Sequence, residues 1–252
     1  MCGRYASSRR PQDLVEEFEI DKVEVKETLA PDFNVAPTKP VYAVVQRPVS
    51  KDADDLERQL RVLSWGLVPF WAKDPSIGNK MINARMETVE QKPAYRKAFA
   101  SRRCLLPADG YYEWYATDQK TKAGKPLKQP FFIHPADGGV MAMAGLYEIW
   151  RDPTRDEEDP LRFKWTCTVL TTRAEDAVGH IHDRMPLLVE PERYGAWLDP
   201  TVSDPTELKK LLVPAAPGRL EAHPVSTEVN SVKNNGPDLL NPLPTEAPPP
   251  IS

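Results

Sequence analysis

Short apolar runs with strand character recur along this chain, and brief amphipathic stretches fall irregularly between them. Val41-Tyr42-Ala43-Val44-Val45, residues 60–68, Phe131-Phe132-Ile133, residues 140–147 and residues 165–171 are rich in β-branched and aromatic residues, so each predicts a strand. Asp137-Gly138-Gly139 supplies a turn between two of them. Proline near a first turn predicts helices over 11–18, 93–101, 191–198 and 205–212, and a capped short helix is expected over 172–177. Tyr95 and Phe99 share one face of the second helix; Leu208, Leu211 and Leu212 share one face of the fourth. The two element types do not alternate as βαβ units and no repeat is evident, which predicts an α+β fold.

Several polar or aromatic residues interrupt these patterns in ways that carry chemistry. Trp65 and Phe70-Trp71 flank Gly66 and Pro69, a composition that suits a core corner, the favoured reading, or an exposed stacking loop. Asn83 lies between apolar neighbours, as a buried amide with partners to satisfy would. Glu113 follows Tyr111-Tyr112 and precedes Trp114, so it is either half buried with a raised pKa suited to proton transfer or an outward-facing strand residue. His182, one of four histidines, sits beside Arg184 where helical pattern gives way to an apolar run.

Composition narrows the function classes. The chain has 252 residues, 40% hydrophobic and 28% charged, and a net charge of −4, which argues against coating duplex DNA by a global positive field while leaving room for a local basic groove. Cys2, Cys104 and Cys167 show no paired spacing, so neither a disulfide framework nor a zinc site is expected. No apolar run approaches a membrane span and no signal peptide is evident, so a reduced, cytoplasmic protein is expected. From Pro242 the chain holds five prolines in eleven residues and is expected to form a disordered tail.

The amino terminus offers the most specific chemistry. Removal of Met1 ahead of the small residue Cys2 leaves a 1,2-aminothiol, with an amine of pKa about 7.7–8.0 and a thiol of about 8.5. With an aldehyde the amine forms a Schiff base and the thiol closes on the imine carbon as a thiazolidine. Against this stands the plain alternative of an incidental cysteine beside the start codon.

Met1-Cys2-Gly3-Arg4-Tyr5, Phe33-Asn34-Val35-Ala36-Pro37, Trp65-Gly66-Leu67 and Ile82-Asn83-Ala84-Arg85 occur in one order with Ala108-Asp109-Gly110 and Glu113-Trp114. His182-Asp183-Arg184-Met185-Pro186, His223-Pro224-Val225-Ser226 and Val232-Lys233-Asn234 follow. Together these blocks resemble the SRAP family, the SOS-response-associated peptidase proteins that attach covalently to abasic sites in single-stranded DNA. The resemblance implies a single α+β domain over 2–241 around a barrel-like, mostly antiparallel sheet, with 242–252 as the tail. It implies Cys2 as nucleophile, Asn83 as the residue orienting its amine, Glu113 as acid/base and His182 as the group on the sugar oxygens. Arg4, Arg85 and Arg184 become phosphate grips. Trp65, Pro69 and Phe70 become an apolar edge that stacks on bases or blocks a complementary strand. The implied partner is single-stranded DNA bearing an abasic site, bound by a monomer without metal or organic cofactor, in the cytoplasm or at a bacterial nucleoid. The implied activity is a thiazolidine crosslink that shields the lesion, with weak lyase activity and removal of Met1 as further possibilities. A thiol peptidase using Cys2 and a non-covalent single-strand binder are the alternatives.

Overall fold

The computed structural model describes residues 2–50, 53–120, 122–174, 178–214, 216 and 218–244. Its strands are β1 (Tyr5–Ser7), β2 (Lys22–Glu24), β3 (Asp32–Val35), β4 (Pro40–Pro48), β5 (Leu56–Trp65), β6 (Asn83–Arg85) and β7 (Arg103–Ala108). They continue as β8 (Gly110–Lys120), β9 (Pro126–Pro135), β10 (Met141–Arg151), β11 (Phe163–Arg173), β12 (Arg184–Pro186) and β13 (Leu220–Pro224). The α-helices are α1 (Pro11–Glu17), α2 (Arg96–Ser101), α3 (Tyr194–Leu198) and α4 (Pro205–Leu211).

Five strands close a barrel. β11, β10, β7, β4 and β5 are antiparallel neighbours in that order, and a parallel pairing of β5 with β11, Ser64 opposite Thr166 and Trp65 opposite Cys167, joins the ends. β6 adds to the far end of β11 in parallel, with Asn83 opposite Val169. Closure removes the exposed edges that an open sheet would present.

Strand periodicity sorts the side chains. Cys167 and Val169 of β11 point into the barrel with Val45, Leu63, Cys104 and Met143, whereas Leu170 points outward to Leu14, Phe18, Phe99, Trp197 and Leu208 of the four helices. Each such large side chain contributes roughly 1.5–3 kcal/mol on burial. Arg103 is buried beside them because its guanidinium donates to the carbonyls of Phe99, Ala100, Trp197, Asp199 and Val202, which cap the ends of α2 and α3.

A second, five-stranded antiparallel sheet runs β13-β9-β8-β1-β3. Its Tyr5, Tyr111 and Ile133 face the barrel core, and its Ala6, Tyr112 and Phe132 pack with Val225, Val229 and Leu239. Glu113 has the parity of Tyr111, so it turns toward the barrel and is buried, not outward-facing.

The α+β barrel expected from the resemblance is observed. Three local expectations are corrected. Residues 66–68 leave the strand because Gly66, at φ +133°, turns the chain. Pro93 precedes helix α2, which begins at Arg96. Thr172 and Arg173 are strand, paired with Met185 and Arg184, where a helix was expected; the rest of that expectation, residues 175–177, lies outside the described residues. Within the proline-rich tail only residues 242–244 are described, and Leu243 N–H bonds to Pro224 O at 2.9 Å. No helix among the described residues is long and apolar enough to cross a membrane.

Candidate active site

Cys2 lies at the end of the barrel that the second sheet covers, completely buried against Tyr5, Trp65 and Tyr111. Strand β6 reaches it: Asn83 Nδ2 donates to Cys2 O at 2.7 Å, and since that oxygen can only accept, the amide orientation is determined. Asn83 Oδ1 is buried and receives no hydrogen bond among the described residues. Tyr95 Oη, from the residue before α2, donates to Asn83 O at 3.3 Å, and Trp65 Nε1 to Ile82 O at 2.9 Å. The backbone on both sides of the asparagine side chain is thereby pinned.

Burial drives the Cys2 thiol well above its ordinary pKa; the nearby Glu113 carboxylate pushes the same way, and a backbone hydrogen bond from Arg4 only partly offsets them. The thiol is held neutral. Tyr111 lies within the field of both Cys2 and Glu113, and its phenol is likewise raised, by burial first.

Glu113 and His182 line one open cleft of about 600 Å³ together with Trp114, Lys128 and Asn230. Arg184 N–H donates to His182 Nδ1 at 3.0 Å, so in the neutral ring Nε2 carries the proton. Asp183 Oδ1 is also 3.0 Å from Nδ1, but a backbone N–H cannot accept, so the Arg184 amide sets the neutral tautomer, and the Asp183 carboxylate is highly exposed.

The structure thus joins Cys2 to Asn83 by a hydrogen bond and to Glu113 through its field, with His182 across the cleft that Glu113 lines. The arginines differ. Arg85 is exposed. Arg184 is clamped by Glu87, Nη1 at 2.6 Å and Nη2 at 3.0 Å, and bonds Thr171 O at 2.6 Å. Arg4 Nη1 bonds Asn34 Oδ1 at 2.6 Å and Val229 O at 2.9 Å, tying β1 to the segment behind Trp114. Both therefore have structural tasks.

The aromatic edge needs correction. Trp65 is fully buried, edge-on to Tyr5 with centroids 5.1 Å apart, and cannot stack on a base; Pro69 is buried as well. The exposed lip is Phe70, under Lys97 Nζ at 4.4 Å, and Trp71, half exposed. Cleft residues outside the expected site include Trp114, with Nε1 bonded to Asn230 Oδ1 at 2.7 Å, which follows Glu113 directly in the motif block, and Lys128 on β9, which carries no local sequence signal.

The family model for SOS response associated peptidase (SRAP) matches residues 1–232. The chain belongs to the SRAP family. Among SRAP relatives, the abasic site processing protein YoqW of Bacillus subtilis is 41% identical over 240 residues, 95% of this chain and 99% of YoqW. YedK of Escherichia coli, also named an abasic site processing protein, is 32% identical over 96% of this chain and all of its own length. A crystal structure of a Bacteroides thetaiotaomicron protein, 22% identical, superposes over 96% of this chain and all of that one with a TM-score of 0.76, a likeness of fold.

Proposed function

We propose that this SRAP protein processes abasic sites in single-stranded DNA, and that it does so covalently through Cys2 once Met1 is removed. The observation that carries the reading is the contact of Asn83 with Cys2 beside a buried Glu113 that also lines the cleft. The names of relatives such as YoqW and YedK support the substrate class.

The chemistry starts at the amine, because burial and the Glu113 charge favour the protonated thiol. Glu113 assists opening of the sugar hemiacetal to its aldehyde. The amine lone pair adds to the aldehyde carbon, and the carbinolamine loses water to give the imine. The sulfur then adds to the imine carbon while the thiol proton passes, by way of Glu113, to the imine nitrogen. One water is lost overall. Asn83 Oδ1 accepts from the amine and keeps its lone pair on the incoming carbon. His182 Nε2–H donates to a sugar oxygen. Arg85, the cleft's Lys128 and the Phe70-Trp71 lip hold phosphates and bases, and the protein acts as a monomer.

A buried, neutral thiol is a poor nucleophile toward peptides, which places general thiol peptidase activity second. Removal of Met1 in cis and strand scission from the imine remain compatible with the same groups.

Intact-mass measurement tests this. Protein lacking Met1, incubated with an oligonucleotide bearing one abasic site, gains the oligonucleotide mass minus one water; Cys2→Ala and a chain with an added amino-terminal residue do not. A stable adduct on a chain that retains Met1 would overturn the mechanism.

A further inference from the structure

The barrel has a second end, and its interior pattern changes there. The alternation that points Val45 of β4, Leu63 of β5 and Cys167 of β11 inward continues, two residues along each strand, to Arg47, Arg61 and Trp165. Trp165 is four residues from Val169, the partner of Asn83, about 13 Å along the strand. This end is therefore distinct from the Cys2 cleft.

Arg61 Cζ lies 4.4 Å and Arg47 Cζ 4.9 Å from the centre of the Trp165 ring, and Tyr147 stacks on the same indole at 5.5 Å with planes 8° apart. Arg61 Nε donates to Gln59 Oε1 at 2.6 Å. The Arg47 guanidinium forms no hydrogen bond or ion pair with any described residue; its contact is the Trp165 ring. Its cross-strand neighbour Glu57 takes Gln59 Nε2 and approaches Lys22 Nζ at 3.8 Å instead. Two like charges thus converge on one ring; burial first and the Arg47 charge second lower the Arg61 pKa, and the carboxylates of Glu24 and Glu57 only partly offset them. An anion between the two guanidiniums would relieve that repulsion.

Sharing Trp165 with this stack is a cleft of about 460 Å³ whose lining includes Phe163, Leu161, Trp150, Lys164 and the ion pair of Asp152 with Arg155; Leu161 and Phe163 are among the exposed large hydrophobic residues. We propose that this end of the barrel is a second binding site, for a phosphate-class oxyanion held between the guanidiniums of Arg47 and Arg61, with the organic body of the ligand against Phe163 and Leu161. Trp165 is the rigid spacer that sets the two guanidinium planes, whose paired N–H donors match phosphate oxygens. The phosphate belongs either to a small molecule or to a nucleic-acid strand.

Calorimetric titration of the full chain with pyrophosphate and, separately, with a short intact oligothymidylate distinguishes these sources. Arg47→Gln weakens at least one probe about tenfold and Arg47→Lys weakens it less, while Arg85→Gln, at the other end of the barrel, changes pyrophosphate binding by less than about twofold. Loss confined to pyrophosphate assigns a small ligand; loss confined to the oligonucleotide assigns a strand. Arg47→Gln keeps its melting temperature and its adduct formation with abasic DNA, so failure of this proposal is visible separately from failure of the Cys2 reading. Equal binding of both probes to wild type and Arg47→Gln, or no heat with either probe at millimolar concentration, overturns it.

Discussion

Asn83 and Cys2 are 81 residues apart in sequence, yet Asn83 Nδ2 holds the Cys2 carbonyl at 2.7 Å because β6 adds in parallel to β11. Replacing this amide by Ala removes one partly buried hydrogen bond, worth about 0.5–1.5 kcal/mol, and frees the segment that carries the nucleophile. Asn83→Ala is expected to slow adduct formation at least tenfold with a small change in melting temperature. Single-turnover kinetics with abasic oligonucleotide read the first, and thermal unfolding reads the second.

Glu113 raises the Cys2 pKa through its charge, so Glu113→Gln lowers it. The pH profile of Cys2 alkylation by a small reagent is expected to shift to lower pH in the variant. Adduct formation moves the opposite way, slowing by about 10²–10⁴ because the proton carrier is gone. A variant whose thiol becomes more available while its crosslinking fails separates proton transfer from simple thiol ionisation.

The Glu87–Arg184 pair predicts an asymmetry between arginines. Arg85→Ala is expected to weaken single-strand binding and reduce the salt slope by about one, at unchanged melting temperature. Arg184→Ala is expected to lower the melting temperature too, since its guanidinium also bonds Thr171. Glu87 is held below the ordinary carboxylate range by its Arg184 hydrogen bonds, so the pair's stabilisation is present above about pH 4.3 and fades as pH falls through the lowered folded value. The pair is partly exposed, so Glu87→Gln costs no more than about 1 kcal/mol, and that acid-side loss disappears in a melting-temperature profile against pH.

Phe70→Ala and Trp71→Ala each are expected to weaken binding of intact single-stranded DNA by about 1–3 kcal/mol in fluorescence anisotropy, without loss of stability. Trp65→Ala is expected to do the reverse: it destabilises by about 3–5 kcal/mol because it empties a fully buried site.

Gly66 sits at φ +133°, and a Cβ there would stand 2.6 Å from Gly78 O. Gly66→Ala is therefore expected to cost more than 1 kcal/mol in urea unfolding and to disturb the Phe70-Trp71 lip that follows the turn. Unchanged stability would mean that the two backbone segments part easily.

Strands were legible wherever one face is buried, because alternation survives in sequence: β9, β10 and β11 each extend a run that was visible from composition alone. The extra length of β8 was not legible, since Tyr115 to Lys120 lie in a hairpin arm whose polar residues are held by pairing with β9 and not by burial. The helix expected from Thr172 failed for a related reason: Arg173 is claimed by Arg184 across the β11–β12 pair. Trp65 and Phe70 looked alike in sequence, and only the Gly66 turn sends one into the core and the other to the surface.

The sequence by itself determined the chemical inventory: a cysteine behind the initiator methionine, the motif blocks that carry the SRAP resemblance, and the period-two runs that build a sheet. Tertiary structure decided which of these meet. Closure of β5 on β11 and addition of β6 bring Asn83 to Cys2, and β8 parity turns Glu113 toward them. The same closure sets Arg47 and Arg61 around Trp165, a grouping with no trace in the linear order. Local patterns encode which face of a strand is apolar, whereas the partner across a barrel depends on register between distant segments, and register is settled only when the whole core packs.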